Sequence, residues 1–78
     1  MTNFERVIEL AGKMSTMEIV FSDAFHLKFE VDSYDIYEDA ISVGDLEGNE
    51  VLIAADNIQA VDGDVVYLKH LPKNIDTI

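Results

Sequence analysis

Seventy-eight residues with 49% apolar side chains, one Pro, four Gly and no Cys describe a single folded domain, 1–78, whose small core has no disulfide or thiolate metal site to reinforce it. The formal net charge is -11, and the whole of it sits between Phe29 and Leu68, where eleven carboxylates (Glu30, Asp32, Asp35, Glu38, Asp39, Asp45, Glu47, Glu50, Asp56, Asp62 and Asp64) occur without one Lys or Arg. That balance argues against direct binding to DNA, RNA or anionic lipid, each of which needs cations to displace counterions from phosphate.

At the N-terminus, Thr2 stands three residues before Glu5, the spacing at which a hydroxyl and a carboxylate each satisfy an otherwise free backbone N–H. Phe4, Val7, Ile8, Ala11 and Met14 then fall on one face of a helix, with Glu5, Arg6, Glu9 and Lys13 on the other. The pattern predicts a helix over 3–13, closed by Gly12 and the Ser15-Thr16 pair.

From Met17 the period changes to two. Met17, Ile19 and Phe21 predict a strand over 17–21, and Phe25, Leu27, Phe29 and Val31 a second over 25–31, whose aromatic face the helix is expected to cover. Asp32-Ser33 is a turn signal, after which Tyr34, Ile36, Ala40, Ile41 and Val43 read as one strand over 34–43, interrupted or bulged at Glu38-Asp39. Glu47-Gly48-Asn49 turns the chain into a strand over 50–54. Asp56-Asn57 caps a short helical turn, and strands over 58–61 and 65–70 flank the hairpin signal Asp62-Gly63. Pro72 ends the pairing, and 73–78 is expected to fray.

The segment from Leu46 to Val61 is similar to the hairpin-then-short-turn pattern of many small bacterial barrel proteins. The expected fold is therefore α+β: one N-terminal helix packed on a small, strongly bent antiparallel meander or open barrel of five to six short strands. There is no apolar run of 18 residues for a membrane span, and the first residues have neither the basic start nor the apolar stretch of an export signal, so the expectation is a cytoplasmic chain without membrane contact.

No catalytic signature accompanies this scaffold, and a non-enzymatic role without cofactor is expected. Ser22-Asp23 beside His26 supplies the residue types of a nucleophilic triad, yet it reads as a turn followed by the exposed face of a strand. Asp32, Ser33, Asp35, Glu38 and Asp39 lack the Gly that bends a calcium loop, and Asp62-Gly63-Asp64 lacks a later bidentate Glu. His26 and His70 have no zinc-ligand spacing, and the glycines are too scattered for a phosphate loop.

What remains is a surface. Tyr34 and Tyr37 sit among Asp35, Glu38 and Asp39, and tyrosine offers a large rigid area with one polar end that favours binding hot spots. The expected partner-binding set is Glu30, Asp32, Tyr34, Asp35, Tyr37, Glu38, Asp39, Asp45, Glu47 and Glu50, facing the basic surface of another protein. Leu46 and Leu52 break the local alternation and are candidates for an exposed or subunit-contacting apolar face.

An array of carboxylates can also occupy a groove built for phosphates, which would make the chain a nucleic-acid mimic inhibiting a protein that handles DNA or RNA. In size and charge, though in no motif, the chain is similar to small acidic inhibitors carried by phages, anti-CRISPR proteins among them. Two alternatives stand beside this reading. One is a subunit of a homo-oligomer, such as a homodimer joined through edge strands, whose acids serve solubility. The other is a calcium-dependent binding domain.

Overall fold

A computed structural model of the chain describes residues 1–22 and 25–72. Helix α1 spans Asn3–Gly12 and starts as the sequence predicts. The Thr2 hydroxyl accepts from the Glu5 N–H at 3.1 Å, and the Glu5 carboxylate accepts from the Thr2 N–H at 2.9 Å. The bond from the Thr2 N–H holds the Glu5 carboxyl below its ordinary value, because the ionised form accepts it more strongly. Val7 and Ala11 are buried on the inner face of α1. The helix stops where Met14 takes a left-handed conformation, φ 53°, with its N–H on the Ala11 carbonyl at 3.0 Å.

Among the described residues seven strands follow: β1 (Thr16–Ser22), β2 (Phe25–Glu30), β3 (Ser33–Ile36), β4 (Ala40–Gly44), β5 (Glu50–Ala54), β6 (Ile58–Asp62) and β7 (Val65–Leu68), with a 3-10 turn over Ala55–Asn57 before β6. They form two sheets, one of order β2-β1-β7-β6 and one of order β3-β4-β5. The α+β class and the open, unclosed sheet agree with the expectation from sequence.

Three details differ. The expected strand over 34–43 is a hairpin, because the Tyr37 N–H donates to the Ala40 carbonyl at 2.8 Å and leaves Glu38-Asp39 as the loop. Adjacent acids fit a pleated, half-buried surface poorly, so the chain reverses there instead of bulging. This raises the strand count from the expected five or six to seven. The fold is also not a pure meander, since β1 pairs with β7 in parallel through Glu18↔Val65, Ile19↔Val66 and Val20↔Tyr67.

The last strand ends at Leu68 rather than at 70. The Asn57 side chain takes over there, accepting from the His70 N–H at 2.7 Å and donating to the His70 carbonyl at 2.9 Å. The expected frayed tail, 73–78, lies outside the described residues.

Alternation decides the core. Met17, Ile19, Phe29, Val66 and Leu68 from the four-stranded sheet meet Ile41, Val43, Val51 and Ile53 from the three-stranded sheet, and Val7 and Ala11 of α1 complete the cluster. Helix α1 touches β6 on one sheet and β3 and β4 on the other, so it covers the seam between those two edges. Among the described residues no helix covers the opposite seam, between β2 and β5, where a groove of about 1370 Å3 has walls that include Leu27, Phe29, Glu30, Leu46, Glu47 and Val51.

A candidate protein-docking surface

Register fixes which side chains share a face. In the three-stranded sheet Tyr34 pairs with Val43 and Ile36 with Ile41, and Val43 and Ile41 pair with Val51 and Ile53. Directly opposed residues lie on the same face, so Tyr34 and Ile36 stand on the core side. The Tyr34 hydroxyl reaches the end of α1, lying 3.8 Å from where a Cβ on Gly12 would stand. The outer face carries the other parity: Ser33, Gly44 and Glu50 in one row, Asp35, Ser42 and Leu52 in the next, and Tyr37, Ala40 and Ala54 in the last. Tyr34 and Tyr37 therefore belong to opposite faces and form no common patch.

The outer face carries two exposed apolar side chains among acids, Tyr37 at its hairpin end and Leu52 on the β5 edge. Tyr37 is 54% exposed and Leu52 42%, while Ser42 between Asp35 and Leu52 is buried at 5% exposed. Asp35 and Glu50 lie on the same face, and Glu38 and Asp39 form the adjoining turn. Asp35, Glu38 and Asp39 have no Lys or Arg within ion-pair distance among the described residues. Exposed aromatic and aliphatic contact area beside charged groups is a feature of protein interfaces.

A second group of expected residues borders the open groove rather than this face. Glu30, at the end of β2, and Asp32, in the link to β3, border the groove together with Asp45 and Glu47 of the β4–β5 connection, and Glu50 at the start of β5 borders both the groove and the outer face. Leu46 is 83% exposed at the tip of that connection. Asp45 differs from the others because its own loop occupies it. One carboxylate oxygen accepts from the Glu47 and Asn49 N–H groups, each at 2.9 Å, and the other accepts from the Asn49 side-chain amide at 3.0 Å. These bonds, the Asn49 amide first, hold the Asp45 carboxyl below its ordinary value. Gly48 gives the turn its positive φ of 89°.

The four-stranded sheet is electrically different. Its outer face carries Lys28, His26, Glu18, Val65 and Tyr67, and His26 Nδ1 lies 3.1 Å from a Glu18 carboxylate oxygen. His26 is thus engaged with Glu18, and Asp23 of the Ser-Asp-His grouping lies outside the described residues. Among the described residues no three His, Asp or Glu side chains are placed to hold a metal ion, and no helix is long and apolar enough to cross a membrane.

Sequence reasoning missed the structural use of Asp45, although the Asp-x-x-x-Asn spacing before a strand with Gly48 inside it carried that signal. It also missed Tyr67, which alternates with the buried Val66 and Leu68. The chain matches no protein-family model, no curated protein and no solved structure. Geometry and charge are therefore the grounds for a functional reading.

Proposed function

We propose that this chain is a non-enzymatic docking module that presents the outer face of β3, β4 and β5 to a basic surface of another protein. The observation that carries the reading is the separation of charge. The 22 residues from Ser33 to Ala54 contain no Lys or Arg, whereas Lys28, His26 and Lys69 belong to the other sheet or its connections. Tyr37 and Leu52 supply contact area, and Asp35, Glu38, Asp39 and Glu50 supply complementarity. Charge of this kind accelerates encounter and rejects acidic partners more than it adds affinity.

A basic surface of matching size is one that receives nucleic-acid phosphates, so the partner class we favour is a cytoplasmic DNA- or RNA-handling protein, inhibited by mimicry. Rigid strands suit that role because carboxylates held at fixed spacing lose little entropy on docking. The test compares the chain with a variant carrying D35N, E38Q and D39N, and with Y37A, each immobilised in an extract of the source cell. The chain should retain a basic protein that duplex DNA or added salt releases and that neither variant retains. Retention of the same proteins by the neutralised variant overturns the reading.

A further inference from the structure

Each sheet has two edges, and one of the four is charged in an unusual way. β3 carries only Asp35, β5 only Glu50 and β6 only Asp62, but β2 and its exit read His26, Lys28, Glu30, Asp32 at alternate positions, two basic groups followed by two acidic ones. The Val31 N–H donates to the Ser15 carbonyl at 3.2 Å, continuing a ladder in which Phe29 faces Met17 and Leu27 faces Ile19. In an antiparallel ladder alternate residues bond to one neighbour only, so the N–H and C=O groups of His26, Lys28 and Glu30 point away from β1. That edge borders the open groove. Lys28 stands opposite Glu18, but Glu18 is turned to His26, and Lys28 has no carboxylate within ion-pair distance among the described residues.

We propose that β2 is a self-complementary edge through which two copies of this chain pair antiparallel about a two-fold axis at Phe29. In this register Lys28 lies opposite Glu30 of the second copy and Glu30 opposite its Lys28. Both residues turn their backbone groups outward, so the two pairs exchange hydrogen bonds reciprocally. His26 then lies beside the second copy's Asp32. Moving the axis to Lys28 sets Lys28 against Lys28, and moving it to Glu30 sets Glu30 against Glu30, so charge selects one register. β6 is a poorer edge, since its pairing with β7 is irregular between Ile58 and Ala60 and α1 packs against it. The pairing uses none of Asp35, Tyr37 or Leu52, so it is independent of the docking face.

Two chains of net charge -11 repel at long range, and salt screens that repulsion over a Debye length that shrinks from about 30 Å at 0.01 M to about 8 Å at 0.15 M. The dimer therefore tightens with salt, the opposite of docking to a basic partner, and failure of one proposal is distinguishable from failure of the other. Sedimentation equilibrium of the full chain, up to about 0.5 mM in about 0.5 M NaCl, should show a monomer–dimer equilibrium at least about tenfold tighter than at 0.02 M. K28E and E30K should each be monomeric, although E30K lowers the net negative charge. An equimolar mixture of K28E and E30K should dimerise, and the K28E/E30K double variant should dimerise alone. A monomeric wild-type chain under these conditions overturns the proposal. So does a dimer that E30K leaves intact, or a mixture that stays monomeric while circular dichroism shows both variants folded.

Discussion

Leu52 and Ile53 are neighbours on β5 that point to opposite faces, and the docking surface exists only if that assignment is right. Ile53 is fully buried, whereas Leu52 is 42% exposed. Ile53→Ala removes three carbons, a loss of about 2.4 kcal/mol at ~0.8 kcal/mol per methylene. If a hole of roughly 60 Å3 survives, about 1.5 kcal/mol is added at ~24 cal/mol per Å3. The total, about 4 kcal/mol, matches the roughly 3 to 5 kcal/mol that one core of this size supplies, so I53A should be largely unfolded in water. Leu52→Ala removes as many carbons, but these are only partly withdrawn from water and enclose no cavity, so about 1 kcal/mol is expected. Ile53→Val, at about 1 kcal/mol, provides a measurable buried counterpart.

Urea unfolding followed by far-ultraviolet circular dichroism reads all three. With a slope of roughly 1 kcal/mol per molar for so small a chain, L52A and I53V should each lower the midpoint by about 1 M. The reasoning fails if L52A unfolds as readily as I53A. That result would mean a β5 register shifted by one residue, which exchanges the two faces and removes the proposed surface.

Three further outcomes are expected. The lowered Asp45 carboxyl contributes stability that is fully present above its ordinary value of 3.8 and is lost as pH falls through the lower folded value. The melting temperature of the wild type should therefore exceed that of D45A at pH 6, with the gap narrowing as pH falls below ~3.8; a gap unchanged between pH 6 and pH 2 contradicts the bonding described. Gly48 has φ 89° and open space where a Cβ would project, so Gly48→Ala should cost about 1 kcal/mol through backbone conformation alone, measured by the same urea titration. Finally, the compact chain brings its carboxylates together, and screening them should raise the melting temperature between low and near-molar NaCl, by an amount on the order of a few kcal/mol in stability. A flat or falling melting temperature would mean that these charges do not crowd.

The parts of this protein that the sequence determined are those whose physical cause lies within a few residues. The Thr2–Glu5 capping pair, the alternation of Phe25 to Phe29, the run Val51 to Ala54 and the Asp62-Gly63 turn each complete their hydrogen bonds or their face locally, and each stands where it was expected. The acidic stretch was equally legible, since charge is carried by composition. Tertiary structure alone decided which strands are neighbours and which side chains share a surface. Nothing near Glu18 announces Val65 as its parallel partner, because that pairing is selected by burial of Ile19 and Val66 against the other sheet. Tyr34 and Tyr37 look like one patch in the sequence and are separated by the parity of a strand that ends in a hairpin turn at Glu38-Asp39, where the sequence predicts one strand interrupted or bulged. The same parity leaves Tyr37 and Leu52 amid the acids, because Ile41, Val43, Val51 and Ile53 claim the core side of the sheet and the alternate positions must face outward.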